Sequence, residues 1–259
     1  LRHHMGQVTW GGLVTAPWHK PMTDTWLAEI AEIARAYRQA SDRAIMVALG
    51  CNLIEWGQFL RGFDAFLLDL AADPAGAHRL LDRLTELHIE TLERVLPVIG
   101  PHVDILQMGD DLGTQAGPQI SVQMYREFFL PRHRLIFNRA KELSGAKIFL
   151  HSCGGLYELL PSLIEAGVEI LNPVQTSAAR MEPERLKREF GRDLCFWGGG
   201  VETQDVLAHG TPEQVRAQVR ERLRTFGPGG GYVFCQVHNI LSDVPPENVV
   251  AMLDEAGRG

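Results

Sequence analysis

Two kinds of stretch alternate along the chain. Short apolar runs at Ala44–Leu49, Val103–Met108, Lys147–His151, Val168–Leu171, Leu194–Trp197 and Tyr232–Cys235 each close on glycine or polar residues. The first of them, Ala44–Leu49, is continuously apolar and suits a strand covered on both faces, which implies a parallel sheet. Between them the apolar positions fall into helical period. After Thr23 or Asp24 as N-cap, Trp26, Leu27, Ile30, Ile33, Ala34 and Tyr37 recur with charges between them. Leu80, Leu81, Leu84, Leu87, Ile89, Leu92 and Val95 form a second apolar stripe. The same criteria predict helices over about 53–70, 74–98, 121–144, 156–166, 182–189 and 212–226, and a last one from Pro246 to the end.

Repeated strand, loop and helix units with right-handed crossovers give an α/β fold, either an open doubly wound sheet or a closed barrel. The strand ends favour the barrel. Asn52, Asp110, Asp111, His151, Cys153, Asn172, Gln175 and His238 all follow apolar runs, and only a barrel gathers such ends at one mouth. The expectation is a TIM-type (β/α)8 barrel forming one domain over residues 6–259. Only six strands are clear, so the first βα unit is expected to be missing or replaced by the irregular first 23 residues. Leu1–Met5 reads as an expression remnant, which removes His3 and His4 from any site.

Composition narrows the functions. The 259 residues carry a formal net charge of −7 without a basic cluster, which argues against a nucleic-acid surface. No apolar run reaches the length of a membrane span and no secretory leader precedes the fold, so a cytoplasmic protein acting on small molecules is expected. The cysteines Cys51, Cys153, Cys195 and Cys235 are scattered and are read as reduced thiols.

The densest chemistry lies at His151-Ser-Cys153-Gly-Gly. In extended backbone His151 and Cys153 share a face and can reach one ion, and zinc accepts this pair. His-x-Cys without further support is equally consistent with a core histidine beside a buried thiol. A third ligand would come from His238 or Cys235, with Asp110 or Asp111 as an outside choice. Asp110 and Asp111 can also serve as acid and base, or one can cap a helix while its neighbour faces the site. Gly198–Gly200 and Gly227–Gly231 lack the lysine of a phosphate loop and read as tight turns.

Together, His151-Ser-Cys153-Gly154, Glu165-Ala-Gly-Val-Glu-Ile-Leu-Asn-Pro-Val-Gln175, Phe196-Trp-Gly-Gly-Gly200, Gly227–Tyr232, Val237-His-Asn-Ile240 and Asp243–Asn248 resemble the uroporphyrinogen decarboxylase superfamily, which includes cobalamin-dependent methyltransferases. The resemblance implies a (β/α)8-type barrel with its site at the strand C-termini. For the methyltransferase branch it implies zinc held by His151, Cys153 and His238, with Cys235 in reserve, and methyl exchange with a corrinoid (cobalamin) on a partner protein. His238 and Asp110 or Asp111 take the catalytic roles on this reading, and Asn52, Asn172 and Gln175 bind the small-molecule substrate. A homodimer is also expected. The alternative is metal-free uroporphyrinogen decarboxylation in porphyrin biosynthesis. That branch resembles enzymes with an arginine-rich N-terminal segment, whereas no arginine lies between Gly6 and Trp26. A third reading is a non-catalytic barrel fragment or corrinoid-protein binding module.

Overall fold

A computed structural model of the chain describes residues 22–258; the readings of residues 1–21, including the remnant and the irregular lead-in, lie outside it. The helices and strands are α1 (Asp24–Ala40), β1 (Met46–Gly50), α2 (Ile54–Arg61), α3 (Phe63–Ala72), α4 (Pro74–Ile99), β2 (Ile105–Gly109), β3 (Gly113–Thr114) and β4 (Gly117–Pro118). There follow α5 (Leu130–Ser144), β5 (Lys147–His151), α6 (Leu160–Ala166), β6 (Ile170–Asn172), α7 (Pro183–Phe190), β7 (Cys195–Trp197), α8 (Val206–His209), α9 (Pro212–Phe226), β8 (Tyr232–Val233) and α10 (Pro246–Ala256). The chain forms two compact units. One holds the described residues through Asp110 with Ser121–Ile148 and Glu165–Gly167; the other holds Asp111–Ile120, Phe149–Ile164 and the chain from Val168 onward.

Local chemistry explains the element ends. The Thr23 hydroxyl accepts from Trp26 N–H at 3.2 Å and starts α1 where the N-cap signal placed it. Thr211 and Gln214 form a reciprocal capping box on α9. The helix expected over about 53–70 is instead two, because Gly62 adopts φ +94°, a conformation that interrupts the helical ladder. The helix expected from about 121 carries a π-helical segment at Tyr125–Phe129 before α5. The β3–β4 hairpin and α8 gave no periodic signal, being too short to show one.

In the first unit β1 pairs with β2 in parallel, and Phe66, Leu81, Leu92, Leu96, Leu106, Phe129 and Ile136 are fully buried around them. In the second unit β5, β6, β7 and β8 pair in parallel in that order. Leu150, Leu163, Leu171, Phe196, Val215, Val219 and Phe226 are fully buried there. Each such side chain contributes about 1.5–3 kcal/mol by leaving water. The fold is thus α/β with parallel strands and helical crossovers, the class that the alternation predicts.

Candidate metal centre

The second unit brings Asp111, His151 and Cys153 together: one donor atom from each lies within 4.8 Å of the others. His151 is the last residue of β5, and Cys153 Sγ lies 3.6 Å from His151 Nε2. Asp111 arrives from a segment far away in sequence, and its carboxylate accepts from Cys153 N–H at 2.8 Å.

Glycine makes that approach feasible. A Cβ on Gly154 would lie 2.4 Å from the Gly113 carbonyl carbon and 2.5 Å from Thr114 N, and a Cβ on Gly113 would lie 2.4 Å from Cys153 O. The two loops therefore touch backbone to backbone. Leu112 N–H donates to the fully buried Ser152 hydroxyl at 3.0 Å, and Gly155 N–H donates to Thr114 O at 2.8 Å. Gln119 Nε2 donates to Asp111 O at 2.7 Å. These bonds hold the Asp111 loop against the His-x-Cys turn.

Asn172 and Gln175, expected as substrate ligands, are engaged by the protein itself. Asn172 Oδ1 lies 2.8 Å from His151 Nδ1, while Asn172 Nδ2 donates to Trp197 O at 2.9 Å. Gln175 Oε1 accepts from Gly154 N–H at 2.8 Å, and its Nε2 donates to Gln115 Oε1 at 2.8 Å. His238, expected as the third zinc ligand, is exposed, and neither it nor Cys235 belongs to the converging donors; Asp111 takes the third place in that group. The physical reason is that β8 ends at Val233 instead of continuing to Cys235, so these residues lie in irregular backbone beyond the strand. The Cys235 thiol donates to Gln236 O at 3.3 Å, and burial pushes it up to about 11.

Asp110 and Asn52 belong to the first unit. Asp110 is fully buried, accepts from the N–H groups of Ile54 at 2.9 Å and Glu55 at 3.2 Å, and so caps α2. Its other oxygen lies 3.2 Å from Nε2 of the equally buried His133, whose Nδ1 meets Tyr125 OH at 3.1 Å. Asn52 donates through Nδ2 to Glu55, and its carbonyl lies 3.0 Å from His88 Nε2. His133 and Ser152 escaped the sequence reading. A histidine inside an amphipathic helix and a serine between two candidate ligands carry no periodic or motif signal of their own.

The family profile for uroporphyrinogen decarboxylase (URO-D) matches residues 26–258. The chain belongs to the URO-D family. Among its relatives is a methylated-thiol–coenzyme M methyltransferase of Methanosarcina mazei, 32% identical over 149 residues that cover 58% of this chain and 36% of that protein. A uroporphyrinogen decarboxylase of Pseudoalteromonas translucida is 28% identical over 68% of this chain and 47% of that enzyme. Among solved structures, a methyltransferase from Methanosarcina mazei superposes with a TM-score of 0.67 at 18% identity, covering 88% of this chain and 63% of that one. That likeness shows the fold, which with the family match is the URO-D-like TIM-type barrel class. The chain spans between about a third and two thirds of the length of these relatives.

The donor set of the URO-D chain fits zinc: an imidazole nitrogen, a sulfur and a carboxylate oxygen are its usual protein ligands, and three of them leave a position open for substrate. Among the described residues no helix is long and apolar enough to cross a membrane.

Proposed function

We propose that this URO-D family chain is the zinc-binding part of a methyltransferase-like enzyme, with Asp111, His151 and Cys153 holding the metal. The carrying observation is the convergence of these three donors within 4.8 Å at the end of a parallel strand. The 32% identity to a methylated-thiol methyltransferase supports the reaction class. A bound zinc ion supplies Lewis acidity, which lowers the pKa of a thiol or polarises an oxygen. The residues of this chain do the positioning. Asp111 and the Gln175 amide fix the turn that carries Cys153, and Asn172 holds the His151 ring. On this reading a small molecule exchanges a methyl group with a corrinoid carried by a partner protein in the cytoplasm, and co-purification tests that partnership. A homodimer, with its test in light scattering, completes the proposal.

Metal analysis is the direct test. Purified protein is expected to hold close to one equivalent of zinc, and Cys153→Ser and Asp111→Asn are expected to lose it while remaining folded. Wild-type protein without zinc, or variants with undiminished zinc, would sink the metal reading. The decarboxylase relatives keep one rival in view, and metal-independent loss of CO2 from uroporphyrinogen would replace this proposal with that one.

A further inference from the structure

Three adjacent parallel strands place His151, Asn172 and the Trp197 carbonyl in one row. The ladder pairs His151 with Asn172 across β5 and β6, and Leu171 with Phe196 across β6 and β7, so Asn172 falls beside Trp197. The row is bonded throughout: His151 Nδ1 to Asn172 Oδ1 at 2.8 Å, and Asn172 Nδ2 to Trp197 O at 2.9 Å.

The Trp197 carbonyl can only accept, so it requires the NH2 end of the Asn172 amide. That leaves the Asn172 oxygen facing the imidazole. An oxygen there needs a donor, and a ring nitrogen bearing a lone pair would face it acceptor to acceptor. The proton of the neutral ring is thereby assigned to Nδ1, and the lone pair to Nε2, the nitrogen 3.6 Å from Cys153 Sγ. We infer that Asn172 is a positioning residue: anchored by the Trp197 carbonyl, it holds His151 as the Nδ1–H tautomer and presents Nε2, beside the Cys153 sulfur, as the nitrogen that binds the metal. Rotating the amide does not escape this, because it would set the Asn172 oxygen against the Trp197 carbonyl. The role differs from the substrate-binding one expected of Asn172 from sequence. It deepens the metal reading, whose metal-ligating histidine it concerns, but the tautomer is a property of the metal-free protein as well.

The test is nitrogen-15 NMR of the imidazoles in metal-free protein at alkaline pH, where ordinary imidazoles are neutral. The His151 signals are identified by their loss in His151→Gln. Wild type is expected to show a protonated Nδ1 and a lone-pair Nε2. That pattern depends on the Asn172 oxygen, which the Trp197 carbonyl keeps turned toward the ring. Asn172→Leu is expected to lose it and to weaken zinc binding about 10- to 100-fold, the usual effect of removing a hydrogen-bond partner of a ligating histidine. A proton on Nε2 in wild type overturns the inference without any variant, as does Asn172→Leu with unchanged tautomer and zinc affinity. The stated tautomer in a wild-type protein that binds no zinc would overturn the metal reading and leave the role of Asn172 standing.

Discussion

Gly154→Ala tests the geometry on which the candidate centre depends. Gly154 has φ +90°, and an added methyl would lie 2.4 Å from the Gly113 carbonyl carbon, 2.5 Å from Thr114 N and 2.8 Å from Thr114 O. These are backbone atoms and cannot swing aside as a flexible side chain could. Two costs follow: about 1–2 kcal/mol for an L-residue in left-handed backbone, and about 1–3 kcal/mol for overpacking. Their sum is roughly 2–5 kcal/mol, set against a total stability of about 5–15 kcal/mol. Gly145 provides the control, with φ +71° and nothing within 4 Å of its added Cβ, so Gly145→Ala carries the backbone cost alone. Urea midpoints of the two variants, converted with a common slope, should differ by about 1–3 kcal/mol. Zinc affinity should fall in Gly154→Ala and stay unchanged in Gly145→Ala. Equal midpoints and equal zinc affinities would refute the claim that close approach of the two loops requires glycine at this position.

Asp110→Ala should destabilise the protein by about 1–3 kcal/mol in urea titration, because it leaves the buried Ile54 N–H without its acceptor and removes the cap of α2; a loss below about 0.5 kcal/mol would show that the cap is dispensable. Burial lowers the pKa of His88 below its ordinary value. The unfolded chain therefore takes up a proton there before the folded one does, so the contribution is intact above about pH 6.5 and is lost as pH falls toward the folded value. Urea midpoints across this range should fall less steeply with acid in His88→Gln than in wild type, and parallel curves would remove His88 as the cause.

Most of the chain's architecture was legible because strands and helices are local devices. Thr23 caps α1 through a bond three residues away, and the last helices begin at Pro212 and Pro246, where the sequence signals place them. What was illegible depended on strain or on length. Gly62 broke a predicted helix through a backbone angle that apolar spacing does not report. β8 stopped short of Cys235, and a third donor expected just beyond it fell away from the converging group.

The two adjacent aspartates show where the division lies. From sequence, both stand at a strand end and either could cap a helix or serve the site. Packing separates them: Asp110 turns into a buried cap facing His133, and Asp111 reaches Cys153, 42 residues away. The sequence alone determined the α/β alternation and the His-x-Cys pair, since both rest on neighbours within a few residues. Only the tertiary structure decided which carboxylate joins that pair and what Asn172 is for. Those answers depend on contacts between loops and strands that meet in space through the Gly113–Gly154 approach and the parallel register of β5, β6 and β7.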